Sequence, residues 1–536
     1  MTSTTETRRH RVFLLCVSVS LWLMHGLAQT PGFEGTWYGT ISPPGAQFDI
    51  AVSFQRSDAS WAGNLLMENG TAIPITEIVI ADNTITFSLS PGQGKVTFTG
   101  KLSGATPEIS GVFRQDDSSF PFKLSRTPTT TFQGAALAID PNELLSMMTS
   151  FSGPPSERPF VPPINHPSIG YGVRAARDPV ANLQRDIQNG TVALKFDGED
   201  GYLRSLLEAL QVPVESQMAV FSKNSLQSEI ISPQNPRRVY FNDSVAVAFV
   251  RGGFIELASQ DPELGINFYM LPQQPAGKPF ILRRDNCLSC HQSRNSLDIP
   301  GMLLRSVYPS ANGVPINPLG SFLLDHRTKF EQRWGGWYVT GNSGSMQHLG
   351  NAVVSDITKS ESMTTLKESV PSDIVALMVF EHQMHLMNLI TRVAWEFRIA
   401  ASLEGATGKR NETIDRQLRD ATNELVDYLL FVDEAALPGK VQGTSGFAEK
   451  FAAQGPRDSA GRSLRQFDLE RRLFRYSCSY MIYSPAFDAL PADAKKSIYE
   501  RMHQVLTARL QPAERQAVID ILRDTKKDLP AVFTNR

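Results

Sequence analysis

Five consecutive residues in the middle of the chain, Cys287-Leu288-Ser289-Cys290-His291, combine the side chains best suited to chemistry. Two thiols at this spacing can add across the two vinyl groups of one haem, while the adjacent imidazole coordinates the iron from the same side. The motif therefore predicts a haem c (iron) attached to Cys287 and Cys290, with His291 as the iron ligand.

Three other interpretations of this motif stay open. A redox Cys-x-x-Cys pair is expected between a strand and a helix start in a compact alternating unit, whereas this motif follows Pro279 and two arginines in an irregular region. Half of a zinc site would need a second cysteine pair or a closely spaced histidine pair to complete four ligands. A chance occurrence of the pattern is the third interpretation.

The first 28 residues have the features of a secretory signal peptide. Three arginines precede an apolar run at residues 12–24, and the small residues Gly26 and Ala28 follow it. We expect cleavage after Ala28 and a periplasmic or secreted mature protein that begins at Gln29. Because the run has 13 residues and a spanning helix needs about 20, no transmembrane anchor is expected after cleavage.

The cysteine count favours the haem interpretation. Four cysteines occur, and removing Cys16 with the signal peptide leaves Cys287, Cys290 and Cys478. An odd count is a poor disulfide framework in an exported protein, whereas two thioether links and one buried thiol account for all three. We predict that Cys478 lies on a helix as a buried, inert thiol.

Composition and charge indicate an ordinary globular chain with several domains. The 536 residues include 41% hydrophobic and 20% charged residues, and at about 150 residues per domain they suggest about two to four domains. Lysine and arginine total 52 against 54 aspartate and glutamate residues, so no nucleic-acid partner is expected.

The elements that precede the motif begin with short alternating apolar segments separated by turns. Their spacing of about 8–12 residues predicts an all-β antiparallel barrel over residues 29–130. The Gly35-Thr36-Trp37 opening and the meander that follows resemble small lipocalin-like barrels. A barrel that holds a ligand is the alternative to one filled by its own side chains, and we favour the filled barrel because eight strands enclose little spare interior. The segments are 36–41, 48–54, 62–67, 75–80, 84–89, 96–102, 109–113 and 120–124.

Beyond this barrel we predict a Pro-rich linker and tether at residues 131–177 and a large α+β domain at 178–536 that ends predominantly α-helical. Ser372 is predicted as the N-cap of a helix that runs to about residue 401. The other predicted helices are 180–187, 203–210, 414–431, 464–482, 492–506 and 512–523, and the strands are 238–241, 245–250, 254–257 and 266–271.

From about Asp178 to the C-terminus, some two thirds of the chain, the sequence resembles a family of exported bacterial cytochrome c domain proteins with a single haem-binding motif. The segments that carry it are Gly201-Tyr202-Leu203, residues 220–227, Tyr240-Phe241-Asn242-Asp243, the cysteine motif, residues 333–341, His348-Leu349-Gly350-Asn351 and residues 476–480. The resemblance implies haem binding at Cys287, Cys290 and His291 and an electron-transfer role; it brings no reaction with it.

The ligand on the other side of the iron decides between electron transfer and catalysis. A second strong ligand favours simple redox chemistry, whereas an open position admits a small molecule. The sequence leaves this ligand open, although we favour His348, in a glycine-rich loop after Trp334 and Trp337. The candidates are His326, His348, His382, His385, Met302, Met346, Met384 and Met387.

Two further groups of polar residues are weighed against ordinary structural roles. Glu381 and His385 share a helix face at a spacing that can bind a metal, but no matching second helix is evident, so a polar face is favoured. One or two arginines near the motif could hold the haem propionates, and the others are expected to be structural. The candidates are Arg283, Arg284, Arg294, Arg305 and Arg333.

Three function hypotheses follow from the sequence. The leading one is haem-mediated electron transfer to a redox partner protein. A haem enzyme of peroxidase or oxygenase type, with an open distal position, is the alternative. The third is a structural or binding protein in which the two motif cysteines form a disulfide.

Overall fold

The structure is a computed structural model, and it describes residues 32–41, 48–57, 60–67, 72–89, 96–103, 107–115, 118–127, 162–355 and 363–534. The chain forms two compact units, residues 1–158 and 159–536. The predicted signal peptide and most of the predicted tether lie outside the described residues. No helix within these ranges combines the length and apolar character that a bilayer span requires.

The first unit is an antiparallel barrel, as predicted. Its sheet has the strand order β4-β3-β2-β1-β9-β8-β7-β6-β5. The strands are β1 (Gly35–Ile41), β2 (Phe48–Ser57), β3 (Ser60–Met67), β4 (Ala72–Pro74), β5 (Thr76–Ala81), β6 (Thr84–Leu89), β7 (Val96–Ser103), β8 (Glu108–Gln115) and β9 (Ser118–Ser125).

The barrel closes through a strand that the sequence prediction missed. β4 pairs with β3 and β5 pairs with β6, and between them only Ile75 intervenes, whose N–H donates to Gly63 O at 2.9 Å. One bent strand therefore joins both ends of the sheet. The unit's own side chains fill the interior, with phenylalanine ring centroids 4.8–5.3 Å apart among Phe54, Phe87, Phe98, Phe113 and Phe122.

The second unit contains a six-stranded antiparallel sheet whose strands are arranged in sequence order. Alternate residues face opposite cores, so that Phe268 packs in one hydrophobic cluster and Tyr269 in another, as the two-residue period of a strand requires. Its strands are β10 (Met218–Val220), β11 (Arg237–Phe241), β12 (Val245–Phe249), β13 (Ile255–Asp261), β14 (Gly265–Leu271) and β15 (Leu282–Arg283).

Helices cover both faces of this sheet. On one side lie α1 (Pro179–Asn189) and α2 (Leu203–Ala209). On the other lies α4 (Ile374–Thr407), which is buried around most of its circumference and forms the centre of the largest core. A helix in such a position must be apolar on nearly all sides, so each polar residue on it needs a specific partner.

The remaining elements are short or lie around α4. Two hairpins are formed by β16 (Arg305–Val307) with β17 (Ser321–Leu323) and by β18 (Ala352–Val354) with β19 (Met363–Thr365). The other helices are α3 (Leu288–His291), α5 (Glu412–Leu429), α6 (Phe447–Ala453), α7 (Pro485–Asp488), α8 (Ala492–Arg509), α9 (Pro512–Thr525) and α10 (Ala531–Thr534). Short 3₁₀ helices occur at Gly198–Asp200, Val214–Ser216, Asp285–Cys287, Arg294–Ser296, Asn317–Leu319, Phe330–Gln332 and Tyr480–Tyr483.

The structure corrects the predicted helix over residues 464–482. Asp468 accepts hydrogen bonds from the N–H groups of Glu470 and Arg471 at 3.0 and 2.8 Å, which competes with helical bonding. Leu469 has a left-handed φ of 57°, and a bridge pairs Phe467 with Phe474. Cys478 follows in irregular backbone rather than on a helix, although its thiol is buried as predicted.

Two predicted boundaries also differ. The N-cap of α4 is Asp373 rather than Ser372: its carboxylate accepts from the N–H groups of Val375 and Ala376, while the Ser372 hydroxyl accepts from Ala219 N. Residues 162–177, assigned from the sequence to the tether, pack on the second unit. Tyr171 there is buried and its hydroxyl donates to Ile266 O at 2.7 Å.

Candidate functional site

The cysteine motif lies on two short helical turns at the surface of the second unit. The chain leaves β15, forms the 3₁₀ turn Asp285–Cys287 and continues into α3. Both thiols are free rather than joined in a disulfide, and Cys287 is half-buried whereas Cys290 is exposed. One helical turn thus carries two available thiols and the histidine.

The imidazole of His291 is held in one orientation. Its Nδ1 lies 2.9 Å from Gly301 O, and since a carbonyl only accepts, Nδ1 carries the proton. Nε2 is left with its lone pair, and no described residue bonds to it. The ring packs against Phe268 at 4.6 Å between centroids, and burial lowers the pKa of His291. A neutral imidazole with Nδ1–H on a carbonyl is the form that binds a metal through Nε2.

Asn388 on α4 fixes the segment that orients His291, and the sequence analysis did not identify it. Its amide donates to Met302 O at 2.8 Å, and its oxygen accepts from Met302 N at 2.9 Å. A Cβ at Gly301 would lie 2.5 Å from that oxygen, so glycine is needed there for the close approach. A single asparagine within the apolar run of a buried helix is the sequence signal that could have indicated this role.

The thiol of Cys287 is protonated under ordinary conditions. Burial raises its pKa to about 11, with Glu256 adding to the shift and Arg284 opposing it. Redox dithiols of the Cys-x-x-Cys type depend on a lowered thiol pKa, because the thiolate is the nucleophile. The surroundings of Cys287 therefore do not favour the redox-disulfide interpretation.

Two candidate distal ligands, His326 and His382, form a buried pair. Their Nδ1 atoms are 2.7 Å apart, and His382 Nε2 lies 2.7 Å from Ser479 Oγ. The His326 ring stacks on Tyr428 at 3.9 Å, and the His382 ring stacks on Phe431 at 4.4 Å. Both imidazoles are thus parts of the core, joined by one shared proton.

The remaining distal candidates have mixed surroundings. His348, which the sequence favoured, accepts from Gly350 N at 3.1 Å through Nδ1 and meets the Trp334 ring edge-on at 5.1 Å. His385 is half-buried against Tyr428. Met302 is half-buried beside the carbonyl that holds His291. Buried among the core residues are Met346, Met384 and Met387. The distal ligand stays a prediction.

The polar face predicted around Glu381 is a buried ion pair. Arg333 donates to Glu381 Oε2 at 2.8 Å, and the two side chains are 2% and 0% exposed. The same guanidinium donates to the carbonyls of His326 and Thr328. Arg333 therefore supports the core, whereas the cysteine motif lies at the surface. Among the described residues no three His, Cys, Asp or Glu side chains converge as a metal site.

Some of the other arginines near the motif already have partners in the protein. Arg283 pairs with Asp285 and donates to Tyr171 O. Arg284 donates to Asn286 Oδ1 at 3.3 Å. Arg305 stands beside a pocket described below.

The buried histidines and glutamates allow a testable prediction of how the stability of the protein depends on pH. Burial lowers the pKa of His326 and His385, and that of His382 to about 3. Below pH about 6.5 these histidines bind protons in the unfolded chain but not in the folded chain, so the free energy of unfolding falls as the pH falls. Burial raises the pKa of Glu381 and Glu434 to about 7, which instead lowers stability as the pH rises from about 4.5 to 7.

Below pH about 4.5 the two glutamates no longer change stability, because they are protonated in the folded and the unfolded chain alike. Only the effect of the histidines on stability remains there. Between pH about 3, the pKa of the folded His382, and pH about 4.5, we expect His382→Asn to flatten the pH dependence of stability by about 1.4 kcal/mol per pH unit, the value for one proton. Denaturant unfolding at a series of pH values measures it. Ser479→Ala, which removes the hydroxyl partner but keeps the imidazole, is the matched control and should retain the wild-type slope. Equal slopes for His382→Asn and the wild type would contradict the assignment.

Comparison of the chain with models of protein families, with curated proteins and with solved structures gives no match.

Proposed function

We propose that this protein is an exported carrier of one haem, attached through Cys287 and Cys290 with His291 as the iron ligand, and that it transfers electrons. The observation that carries the proposal is the state of His291. Its Nδ1 is committed to Gly301 O, while Nε2 has no protein partner in the described ranges. Two free thiols stand on the same helical turn, and this donor set suits a haem c.

Different residues of the chain would attach the haem, coordinate its iron and orient the ligand. The thiols of Cys287 and Cys290 would anchor it covalently, and His291 Nε2 would donate its lone pair. Asn388 orients the ligand indirectly, since it fixes Met302 and hence the carbonyl of Gly301. When bound, the haem supplies one-electron redox chemistry. His291 is held by its hydrogen bond to Gly301 O and by the Phe268 ring. A ligand fixed in this way would move little when the charge of the iron changes, which favours electron transfer.

A haem enzyme of peroxidase or oxygenase type is the alternative, and one observation favours it. His326 and His382 bond to each other in the core, and His348 already accepts a hydrogen bond from Gly350 N. His326 and His382 thus lie in the core, and a neutral His348 that accepts at Nδ1 carries its proton on Nε2; this would leave the sixth position weakly held or open. A high-spin absorption spectrum would support this alternative, and a low-spin spectrum would support electron transfer.

The proposal is tested by producing the full chain in cells competent for cytochrome c maturation. Intact mass should show the addition of one haem, and the reduced-minus-oxidised spectrum should show its absorption bands. The double variant Cys287→Ala/Cys290→Ala should lose the covalent haem stain on a denaturing gel. Cys478→Ala, which removes a buried thiol distant from the motif in sequence, should keep it. A colourless wild-type protein of unmodified mass overturns the proposal.

A further inference from the structure

A surface pocket of about 580 Å³ opens beside the β16–β17 hairpin. The hairpin supplies one wall, the segment that follows it supplies the second, and the 3₁₀ turn just after the cysteine motif supplies the third. The lining residues are Asn295, Arg305, Ser321, Phe322, Leu323, Arg327, Thr328, Lys329 and Gln332. None of these nine side chains is acidic, whereas three are cationic.

Two of the three positive charges have no paired carboxylate among the residues that the structure describes. Arg327 pairs with Glu424 at 2.7 Å and donates to Val432 O at 3.0 Å. Arg305 and Lys329, in contrast, form no ion pair with any residue that the structure describes. Within the described part of the chain, the Arg305 side chain bonds to Ser321 Oγ alone, at the long distance of 3.5 Å. Two unpaired cations on the walls of one concavity attract an anion.

The pocket also offers neutral donors and a rigid frame. The side-chain amides of Asn295 and Gln332 bond to no other described side chain, so their N–H groups are available to a ligand. Arg305 is paired with Leu323 in the hairpin, and its carbonyl accepts from Trp337 Nε1 at 2.9 Å. A guanidinium on a fixed backbone matches the planar, two-oxygen geometry of a carboxylate.

The location ties this pocket to the candidate site. Asn295 lies four residues after His291 in the sequence. Only Gln292 and Ser293 separate α3, which ends at His291, from the 3₁₀ turn Arg294–Ser296 that carries Asn295.

We propose that the Arg305–Lys329 pocket is a binding site for carboxylate groups. Two sources could supply them: the propionates of a haem held by His291, or a free small anion with two or three carboxylates. The first source rests on the proposed function, whereas the second does not.

Citrate is the probe, titrated by calorimetry into the full chain in two forms. One is the haem-loaded protein and the other is the haem-free Cys287→Ala/Cys290→Ala variant. Arg305→Gln and Lys329→Gln should each weaken citrate binding about tenfold or more. Arg251→Gln is the matched control, because Arg251 is an exposed arginine of the same unit, paired with Glu199, and it should leave binding unchanged.

The outcomes separate the two sources. Citrate binding to both forms supports a free anion. Binding to the haem-free form alone, with a shifted midpoint potential for haem-loaded Arg305→Gln, supports the propionates. The proposal is overturned if neither form binds citrate and Arg305→Gln leaves the potential unchanged, or if Arg251→Gln weakens binding as much as Arg305→Gln. If haem attachment itself fails, the haem-free form still tests the pocket.

Discussion

Replacing Glu381 with leucine is expected to lower the stability of the second unit by about 3–5 kcal/mol. The Arg333–Glu381 pair is almost fully buried, and arginine cannot shed its proton to escape an unpaired state. At about pH 8, where Glu381 with its pKa of about 7 is mostly ionised, removing the carboxylate therefore leaves a buried positive charge with carbonyl partners only. Hydrogen exchange of the α4 amides measures the loss in this unit alone.

The control for Glu381→Leu is Glu199→Leu, which breaks an exposed pair. Arg251 and Glu199 are 62% and 73% exposed, and such a pair contributes less than about 1 kcal/mol. A loss below about 1 kcal/mol for Glu381→Leu as well would contradict the buried-charge argument. The double variant with Arg333→Met should lose less than the sum of the two single changes, because it leaves no unpaired charge.

Replacing Asn388 with leucine is expected to cost about 1–3 kcal/mol, because two partly buried backbone groups lose their partners. The side chain is 1% exposed and satisfies both the N–H and the carbonyl of Met302. Leucine has a similar shape, so little of the loss would come from packing. Hydrogen exchange of the Met302 amide should accelerate strongly.

A matched control for Asn388→Leu lies one turn further along α4. Thr391 is 4% exposed, and its hydroxyl donates to Met387 O within the helix. Thr391→Val removes that bond without touching the 301–302 segment and should leave exchange at Met302 unchanged. If Asn388→Leu and Thr391→Val behave alike at Met302, then Asn388 does not position the loop that holds His291.

Local patterns allowed most of the elements to be predicted. Two-residue alternation predicted the barrel strands, and strand β6, Thr84–Leu89, was predicted at its observed bounds. The bend at Ile75 was missed because it depends on pairing with β3 on one side and β6 on the other. The helix over 464–482 was wrong because the apolar pattern there carries no sign that Asp468 will cap a turn.

In the candidate site, too, local patterns predicted one part and missed another. The cysteine motif is contiguous, so its spacing alone indicated the chemistry. The residues that support it are distant in sequence: Asn388 reaches Met302 across 86 positions, and Arg333 reaches Glu381 across 48. The His326–His382 bond spans 56 positions. Such contacts depend on how α4 packs, which no local pattern determines.

The bent strand of the first unit has a consequence for behaviour at high concentration. An open sheet leaves a row of unpaired backbone groups at each border, and these recruit strands from neighbouring molecules into fibrils. By passing from β3 to β6 around Ile75, the strand gives each long border of the described sheet an intramolecular partner. The nearly closed sheet therefore leaves less exposed strand edge through which one copy of this unit could template cross-β growth in another.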